Sequence, residues 1–404
     1  MRLRIKDICD YVSRGTTPDY VDEGANKVMN QATFSKGWID ESNIRYTSKA
    51  NKGARIMKGD LLMASTGGGV LGKVFFFDDD DSFYADSHVT IMRNSKGANL
   101  MKYLYYYFYL RYDEINATMV KGSTNQTELQ RNYLLSYELD VPTLADQQRM
   151  VTYLDTKLSE IDHQVSLLTS KRDAYLRLKK SIINHAVTRG LNPNVKMKDS
   201  GIEWIGEVPE HWEVKRMKDI FFERKELSLT GEEDLLSVSE FYGVARRKDK
   251  MNSDEEFESR ADSLVGYKIC KAHDLVINIM LAWKTGLGIS DNDGIVSPAY
   301  AVYEGRNIAS HFYHYLLRSG MYVKEFKRHS KGIIDSRLRL YNDRFNNISA
   351  IYPPLPEQRA IATYLDDKCA KIDTIVSNLD KQISRYGDLK RSLIDEVITG
   401  KRAV

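Results

Sequence analysis

Val141-Pro-Thr-Leu-Ala-Asp-Gln-Gln-Arg-Met-Val-Thr-Tyr-Leu-Asp155 returns later in the chain as Tyr352-Pro-Pro-Leu-Pro-Glu-Gln-Arg-Ala-Ile-Ala-Thr-Tyr-Leu-Asp366. Tyr153 aligns with Tyr364, an offset of 211 residues. The same offset matches Pro142 to Pro353, Leu144 to Leu355, Gln147 to Gln358, Lys157 to Lys368, Asp162 to Asp373, Tyr175 to Tyr386 and Thr188 to Thr399, without a gap. A repeat of fixed period outranks local features, because it sets the architecture. Identities at polar positions argue against two unrelated amphipathic helices.

Both copies read as long helices that pair. Leu154, Leu158, Ile161, Val165 and Leu168 follow a 4-3-4-3 spacing, and Leu365, Cys369, Ile372, Val376, Leu379, Ile383 and Tyr386 continue the same seam in the second copy. Such a narrow stripe belongs to a coiled coil rather than to a globular surface helix. Past Tyr175 and Tyr386 the spacing shifts, through Leu178 and Ile182 and through Leu389 and Leu393, so the seam is expected to rotate there. Pro356, Asp146 and Glu357 suit first turns, and Gly190 and Gly400 stand where a C-terminal glycine stops a helix. Arg172 occupies the seam position that Ile383 fills in the second copy, which marks it as a place for the rod to open locally. Roughly 40 residues at 1.5 Å each give a rod on the order of 60 Å long.

A chain of 404 residues, 42% hydrophobic and 28% charged, has material for two or more cores. A net charge of only +3 announces no nucleic-acid binding by bulk charge, so any DNA contact must come from local patches or shared partners. Cys9, Cys270 and Cys369 are isolated, which suits a reducing cytoplasm and neither a disulfide framework nor a metal site. Met1-Arg-Leu-Arg-Ile-Lys-Asp7 lacks a signal-peptide core, and the apolar stretch from Tyr103 to Leu110 is too short to span a bilayer.

The order along the chain is globule (1–140), helical spacer (141–190), linker (191–212), globule (213–351) and helical spacer (352–404). Phe75-Phe-Phe-Asp78-Asp-Asp-Asp81 followed by Asp86-Ser-His-Val-Thr-Ile91 reads as strand, acidic turn, strand, and Leu100 to Tyr112 as a buried helix. The globules echo each other: Lys6-Asp7-Ile8 with Lys218-Asp219-Ile220, and Gly59-Asp60-Leu61-Leu62 with His273-Asp274-Leu275-Val276. If each globule's ends lie together, the second rod must fold back along the first. The expected fold is α+β, with two α/β globules joined by two long antiparallel coiled-coil helices in pseudo-two-fold symmetry. A symmetric scaffold with divergent loops suits the reading of two different half-sequences on a duplex that is itself two-fold symmetric.

Catalytic motifs fail on inspection. Gly67-Gly-Gly-Val-Leu-Gly-Lys-Val74 approaches a phosphate-binding loop, but valine replaces the hydroxyl residue that would hold Mg²⁺. The aspartates 78–81 lack EF-hand spacing, and His311 and His314 lack the glutamate of a zinc-hydrolase helix. Glu223-Arg-Lys225 is a fragment that chance supplies readily. Tyr352-Pro-Pro-Leu355 lacks the leading Asn or Asp of an adenine-methyltransferase motif.

What remains is basic and polar. Arg246-Arg247-Lys248 follows the strand-like Ser237 to Ala245, and Arg14-Gly-Thr16-Thr17 follows a first strand-like stretch. Arg or Lys reads guanine, Asn or Gln reads adenine, and further cations hold phosphates. The loop residues chosen for DNA contact in the first globule are Arg14, Thr16, Thr17, Asn30, Gln31, Lys36, Ser65, Thr66, Lys73, Lys121, Asn125 and Gln126. Those in the second are Arg224, Ser239, Tyr242, Arg246, Arg247, Lys248, Lys284, Lys331 and Arg337.

These features together resemble the specificity subunit of type I restriction-modification systems. The resemblance is carried by Pro354-Leu-Pro-Glu-Gln-Arg359 leading into Tyr364-Leu-Asp366, by Lys198-Asp-Ser-Gly-Ile-Glu-Trp-Ile-Gly-Glu-Val-Pro-Glu-His-Trp-Glu-Val-Lys215, and by Gly15-Thr-Thr-Pro18, Tyr242-Gly-Val244 and Gly294-Ile-Val-Ser-Pro-Ala-Tyr300. It covers essentially the whole chain. Ala145 and Gln148 depart from Pro356 and Arg359 of the second copy. No counterpart of residues 198–212 precedes the first globule, which leaves room for a short leader. The resemblance implies a non-catalytic subunit whose two target-recognition domains each bind half of a bipartite DNA site. It implies helices that dock two methyltransferase subunits, with restriction/translocase subunits joining them. It also implies no cofactor on this chain, with S-adenosylmethionine, ATP and Mg²⁺ on those partners. The competing readings are a self-contained methyltransferase or restriction enzyme, which S-adenosylmethionine binding by the isolated chain would revive, and a coiled-coil scaffold for protein assembly.

Overall fold

The computed structural model describes residues 1–95, 97–121, 127–250 and 263–404. The chain forms two compact units, one of Met1–Thr169 with Lys381–Val404 and the other of Ser170–Asp380. Each unit therefore holds one globule together with a stretch of both long helices, and the division falls inside the helices rather than at their ends.

Each globule is closed by its own ends. In the first unit Arg2–Arg4 pairs antiparallel with Glu138–Asp140; in the second Glu213–Arg216 pairs with Ser349–Tyr352. The premise that made the second helix fold back is thus met in both.

The main sheets have one order. In the first unit Tyr11–Arg14, Val89–Arg93, Leu61–Ala64 and Val74–Phe76 lie side by side, all antiparallel. In the second the corresponding row is Phe221–Glu223, Tyr300–Gly305, Leu275–Asn278 and Leu287–Ile289. Period-two alternation sends successive side chains to opposite faces. Leu61 and Met63 enter the core beneath the helix Ala98–Tyr109, while Leu62 and Ala64 enter a second core with Phe34, Phe77 and Phe83. Leu275 and Ile277 part from Val276 in the same way.

The echoed motifs share a backbone device. Gly59 and His273 both take positive φ, +91° and +73°, and the carboxylate that follows each is buried. Asp60 accepts the Met57 amide at 2.7 Å and a two-pronged contact from Arg93 at 2.7 and 2.6 Å. Asp274 accepts the Lys271 amide at 2.9 Å and a like contact from Arg224 at 2.7 and 3.1 Å. The arginine arrives from different strands: Arg93 ends the strand Val89–Arg93, whereas Arg224 follows Phe221–Glu223.

Other stretches singled out in the sequence take definite places. Val74–Phe76 and Phe83–Ala85 flank the acidic turn but pair in different sheets, the latter with Asn26–Met29 and Arg55–Ile56. Residues 67–72 make the turn between Leu61–Ala64 and Val74–Phe76, so no helix follows the glycines and no phosphate loop forms. Residues 191–212, expected as a linker, carry structure of their own. Met197–Asp199 pairs with Glu207–Pro209, and Ile205, Val208 and Trp212 are buried in the core of the second unit.

The long helices run Leu144–Arg189 and Leu355–Ile398, 46 and 44 residues. Gly190 and Gly400 stop them in the left-handed conformation, both at φ +75°. In the first unit one core holds Leu154, Leu158, Ile161 and Val165 with Tyr386, Leu393, Ile394, Val397 and Ile398. Lys390 reaches Asp162 there at 2.6 Å. In the second unit Ile182, Ile183, Ala186 and Val187 share a core with Ile361, Ala362 and Leu365. Arg172 contacts Asp380 at 3.4 Å and Lys179 contacts Asp373 at 2.6 Å, so the partner recedes as the first helix advances: the pairing is antiparallel. Ile372 and Leu379 are buried, while Leu168, Val376 and Ile383 are half-buried. Leu178 and Leu389 are exposed, so the seam does not turn through them. Arg172 is half-buried and contacts Asp173 and Asp380.

Each globule is tied to the start of its own helix by the same polar contacts. Tyr106 donates to Asp155 at 2.6 Å and Tyr315 to Asp366 at 2.7 Å. Burial, and then the carboxylate partner, push both phenols well above their ordinary range. Gln147 and Gln358 are both buried and donate to the Pro142 and Pro353 carbonyls at 2.8 and 2.7 Å. Gln358 also accepts the Ala309 amide at 2.9 Å, just ahead of the helix Ser310–Leu317. Gln358→Ala strands a buried donor and a buried acceptor, so we expect a loss of about 2–3 kcal/mol in denaturant unfolding; a loss under half of that would show the contact to be dispensable.

Candidate nucleic-acid interface

In the first unit, the strand pair Val120–Lys121 and Glu128–Leu129 gathers several of the chosen residues. Arg14 donates to the Ser87 carbonyl at 3.0 Å and forms an ion pair with Glu128. Thr66 bridges to Glu128 through the backbone, and its hydroxyl meets His88 Nδ1 at 2.6 Å. Lys121 lies over the Tyr133 ring at 5.4 Å. Gly15 permits this approach: a Cβ there would sit 2.2 Å from the Ala85 carbonyl oxygen. Thr16 and Thr17 are exposed beside Lys49 and Asn51 on the rim of a small cleft. Lys36 and Lys73 come together in a separate cavity of about 350 Å³, lined also by Tyr105, Tyr109 and Arg391. Lys36 is paired with Asp40 at 2.7 Å, and Lys73 donates to the Ser35 carbonyl at 3.2 Å.

In the second unit the chosen residues converge on a hairpin, Leu236–Ser239 with Gly243–Arg246. Ser239 accepts the Phe241 amide at 3.1 Å, and Tyr242 meets Ser237 at 3.1 Å. Arg246 and Lys248 share Asp234 at 3.3 and 2.7 Å, and Arg247 is exposed beside them. The Thr285 hydroxyl donates to the Glu240 carbonyl at 2.7 Å, which brings Lys284 to the hairpin tip. Lys284 and Lys327 lie 4.9 and 5.0 Å from the Trp283 ring centre, two cations gathered on one indole. Lys327 in turn pairs with Asp335 at 3.0 Å, at the foot of the loop that carries exposed Lys331 and Arg337.

Three chosen residues have other work. Ser65 is fully buried and bonds Thr90 at 2.6 Å. Asn30 caps the short helix Gln31–Phe34, accepting the Ala32 and Thr33 amides at 2.8 and 3.1 Å. The Arg224 side chain is only 12% exposed and is held by Asp274. These are structural groups, and the expectation of DNA contact does not carry to them. Gln31 is half-buried against Gly67. Asn125 and Gln126 lie outside the described residues. Sequence reasoning missed Lys327, His88 and above all Arg318, whose guanidinium donates to four carbonyls (Thr285, Leu287, Glu240 and Phe241) at 2.7, 2.6, 3.0 and 3.1 Å. No local motif marks it; only the fold brings those carbonyls together.

His311 and His314 each have a partner within the protein. No group of His, Cys, Asp and Glu among the described residues is placed to hold a metal ion. His311 pairs with Asp291 at 3.2 Å. His314 Nδ1 accepts the Ile289 amide at 3.3 Å, and burial, then the nearby Arg318 charge, pull its pKa down to about 3.

Two consequences are measurable. Arg224→Met leaves the Asp274 carboxylate buried without its partner and is expected to cost about 3 kcal/mol in unfolding free energy. Arg246→Ala, at a more open position, should stay within about 0.5 kcal/mol. For His314, the folded protein binds the proton less well than the unfolded chain. Its contribution is therefore intact above about pH 6.5 and is lost as the pH falls toward the folded value, by on the order of 1 kcal/mol per unit. His314→Asn, which keeps an acceptor and cannot titrate, should flatten that part of the stability–pH curve. An unchanged slope would assign the acid sensitivity elsewhere.

A repeated scaffold that carries two different sets of cationic and polar loops defines a double recognition module. A family model described as the type I restriction modification DNA specificity domain matches residues 1–167 and again 209–385. The chain belongs to that family: it is a DNA sequence-recognition subunit with two target-recognition domains, and it is non-catalytic. It is 21% identical over 329 residues to the specificity subunit of type I restriction enzyme MjaVIII from Methanocaldococcus jannaschii, covering 77% of this chain and 73% of that one. It is 22% identical over 272 residues to the StySPI specificity subunit from Salmonella potsdam, covering 65% and 57%. A solved chain from work on complex assembly and conformational transition of the type I R-M system matches in fold with a TM-score of 0.69. That match covers 98% of this chain and 97% of the other, at 13% identity.

Proposed function

We propose that the chain reads a bipartite site on double-stranded DNA, one half per unit, and that its long helices set the spacing between the halves. Two methyltransferase subunits dock on those helices, and restriction/translocase subunits join them. The observation that carries this reading is selective repetition. Sheet order and the Tyr–Asp and Gln ties recur in both units, whereas the added structure differs: a five-stranded sheet in the first unit, the 236–246 hairpin in the second. Leu167, Leu176, Leu178 and Leu389 leave apolar surface exposed on the helices, which suits protein partners. S-adenosylmethionine, ATP and Mg²⁺ act on the partners, where base extrusion and methyl transfer take place. No described helix is long and apolar enough to cross a membrane, and a cytoplasmic complex fits the DNA target.

The chain co-purified with its methyltransferase partner should direct adenine methylation to a two-part motif with a fixed unspecific spacer. Exchanging residues 213–351 for those of another family member should change one half only. A single continuous motif, or a change in both halves, would sink the proposal.

A further inference from the structure

Phe241 is 91% exposed at the tip of the second unit's hairpin. Single exposed apolar residues are common and need no explanation; what distinguishes this one is its mounting. The backbone beneath it is clamped. Arg318 donates to the Glu240 and Phe241 carbonyls at 3.0 and 3.1 Å and, with its other nitrogen, to Thr285 and Leu287 at 2.7 and 2.6 Å. Thr285 adds a bond to the Glu240 carbonyl at 2.7 Å, from a left-handed conformation at φ +65°. The Phe241 amide is held by Ser239 at 3.1 Å. Gly243 turns the chain at φ +87°, and a Cβ there would meet the half-buried His314 ring at 2.9 Å. A half-buried guanidinium, a strained threonine and a glycine thus fix a turn whose outermost group is a phenyl ring in water.

The surroundings are rich in cations, of which Arg246 and Lys248 share Asp234 and Lys327 pairs with Asp335. Lys284 sits one residue from the Thr285 anchor and shares Trp283 with Lys327. Arg246 ends the hairpin's returning strand and Arg247 and Lys248 follow in the next turn, and the Arg318 charge lies under the tip, held by carbonyl dipoles. Cations that hold phosphates around a rigid apolar tip are the arrangement by which proteins unstack a base step and bend the duplex.

We propose that Phe241 is a wedge, inserted between two adjacent base pairs of the half-site read by the second unit. This rests on the reading of that unit as a DNA reader and adds a specificity term of its own. A wedge favours the step that unstacks most easily, so the half-site should contain a flexible pyrimidine–purine step whose edges need no hydrogen-bond reader.

The test uses the complete methyltransferase complex and its mapped motif. 2-Aminopurine is placed in turn at each position of the second unit's half-site other than the methylated adenine. The wild-type complex should raise fluorescence at one step. Phe241→Ala should abolish that rise and reduce discrimination at that step on the order of tenfold. Phe241→Leu should retain part of both, and Leu229→Ala, an equally exposed apolar residue away from the clamp, should change neither. Thermal melting checks that Phe241→Ala folds. If no step responds, or if Phe241→Ala responds as wild type does, the wedge is wrong while the bipartite reading stands. If the complex yields no two-part motif, the underlying reading is what fails.

Discussion

The structure depends on how each globule is fastened to a helix. A sequence reader must hold its side chains in register with base pairs, so freedom at the joint would cost specificity however good the loops are. The joint is made twice with the same parts: a phenol on an aspartate, a buried glutamine on a proline carbonyl, and apolar packing around both. Burial gives the glutamine bonds their weight. The Tyr106–Asp155 bond is part-buried, while Tyr315 meets an exposed Asp366 and adds direction more than strength. The joint is thus directional as well as adhesive, which apolar packing alone would not achieve.

The loops show a different economy. Several cations are already engaged within the protein, Arg14 with Glu128, Lys36 with Asp40, and Arg246 and Lys248 with Asp234. Exposed pairs of this kind are worth little to stability, and phosphates can compete with the carboxylates for them. Acidic neighbours also keep the chain near electrical balance at +3.

Much of the scaffold was legible because its causes are local and periodic. Seam spacing, helix stops at Gly190 and Gly400, and the Gly59-Asp60 and His273-Asp274 echo all rest on short-range rules. The reading of loop residues was weaker for a physical reason. Asn30, Ser65 and Arg224 have side chains equally suited to a base and to the protein interior, and only tertiary structure decides between them. Leu178 and Leu389 extend an apolar pattern yet stay exposed. Arg318 was invisible, since its four acceptors come from segments far apart in sequence.

The composition of the two units also orders their completion during synthesis. The second unit, Ser170–Asp380, is one unbroken stretch, so all its core residues are present once that stretch has emerged from the ribosome. The first unit is begun earlier and finished later. Leu154, Leu158 and Ile161 share their core with Leu393, Ile394, Val397 and Ile398, which are added only after the whole of the second unit. Until they arrive, the N-terminal reader stands on a helix with an uncovered apolar stripe, and a nascent chain stalled short of residue 381 would hold one finished reader and one unfinished reader.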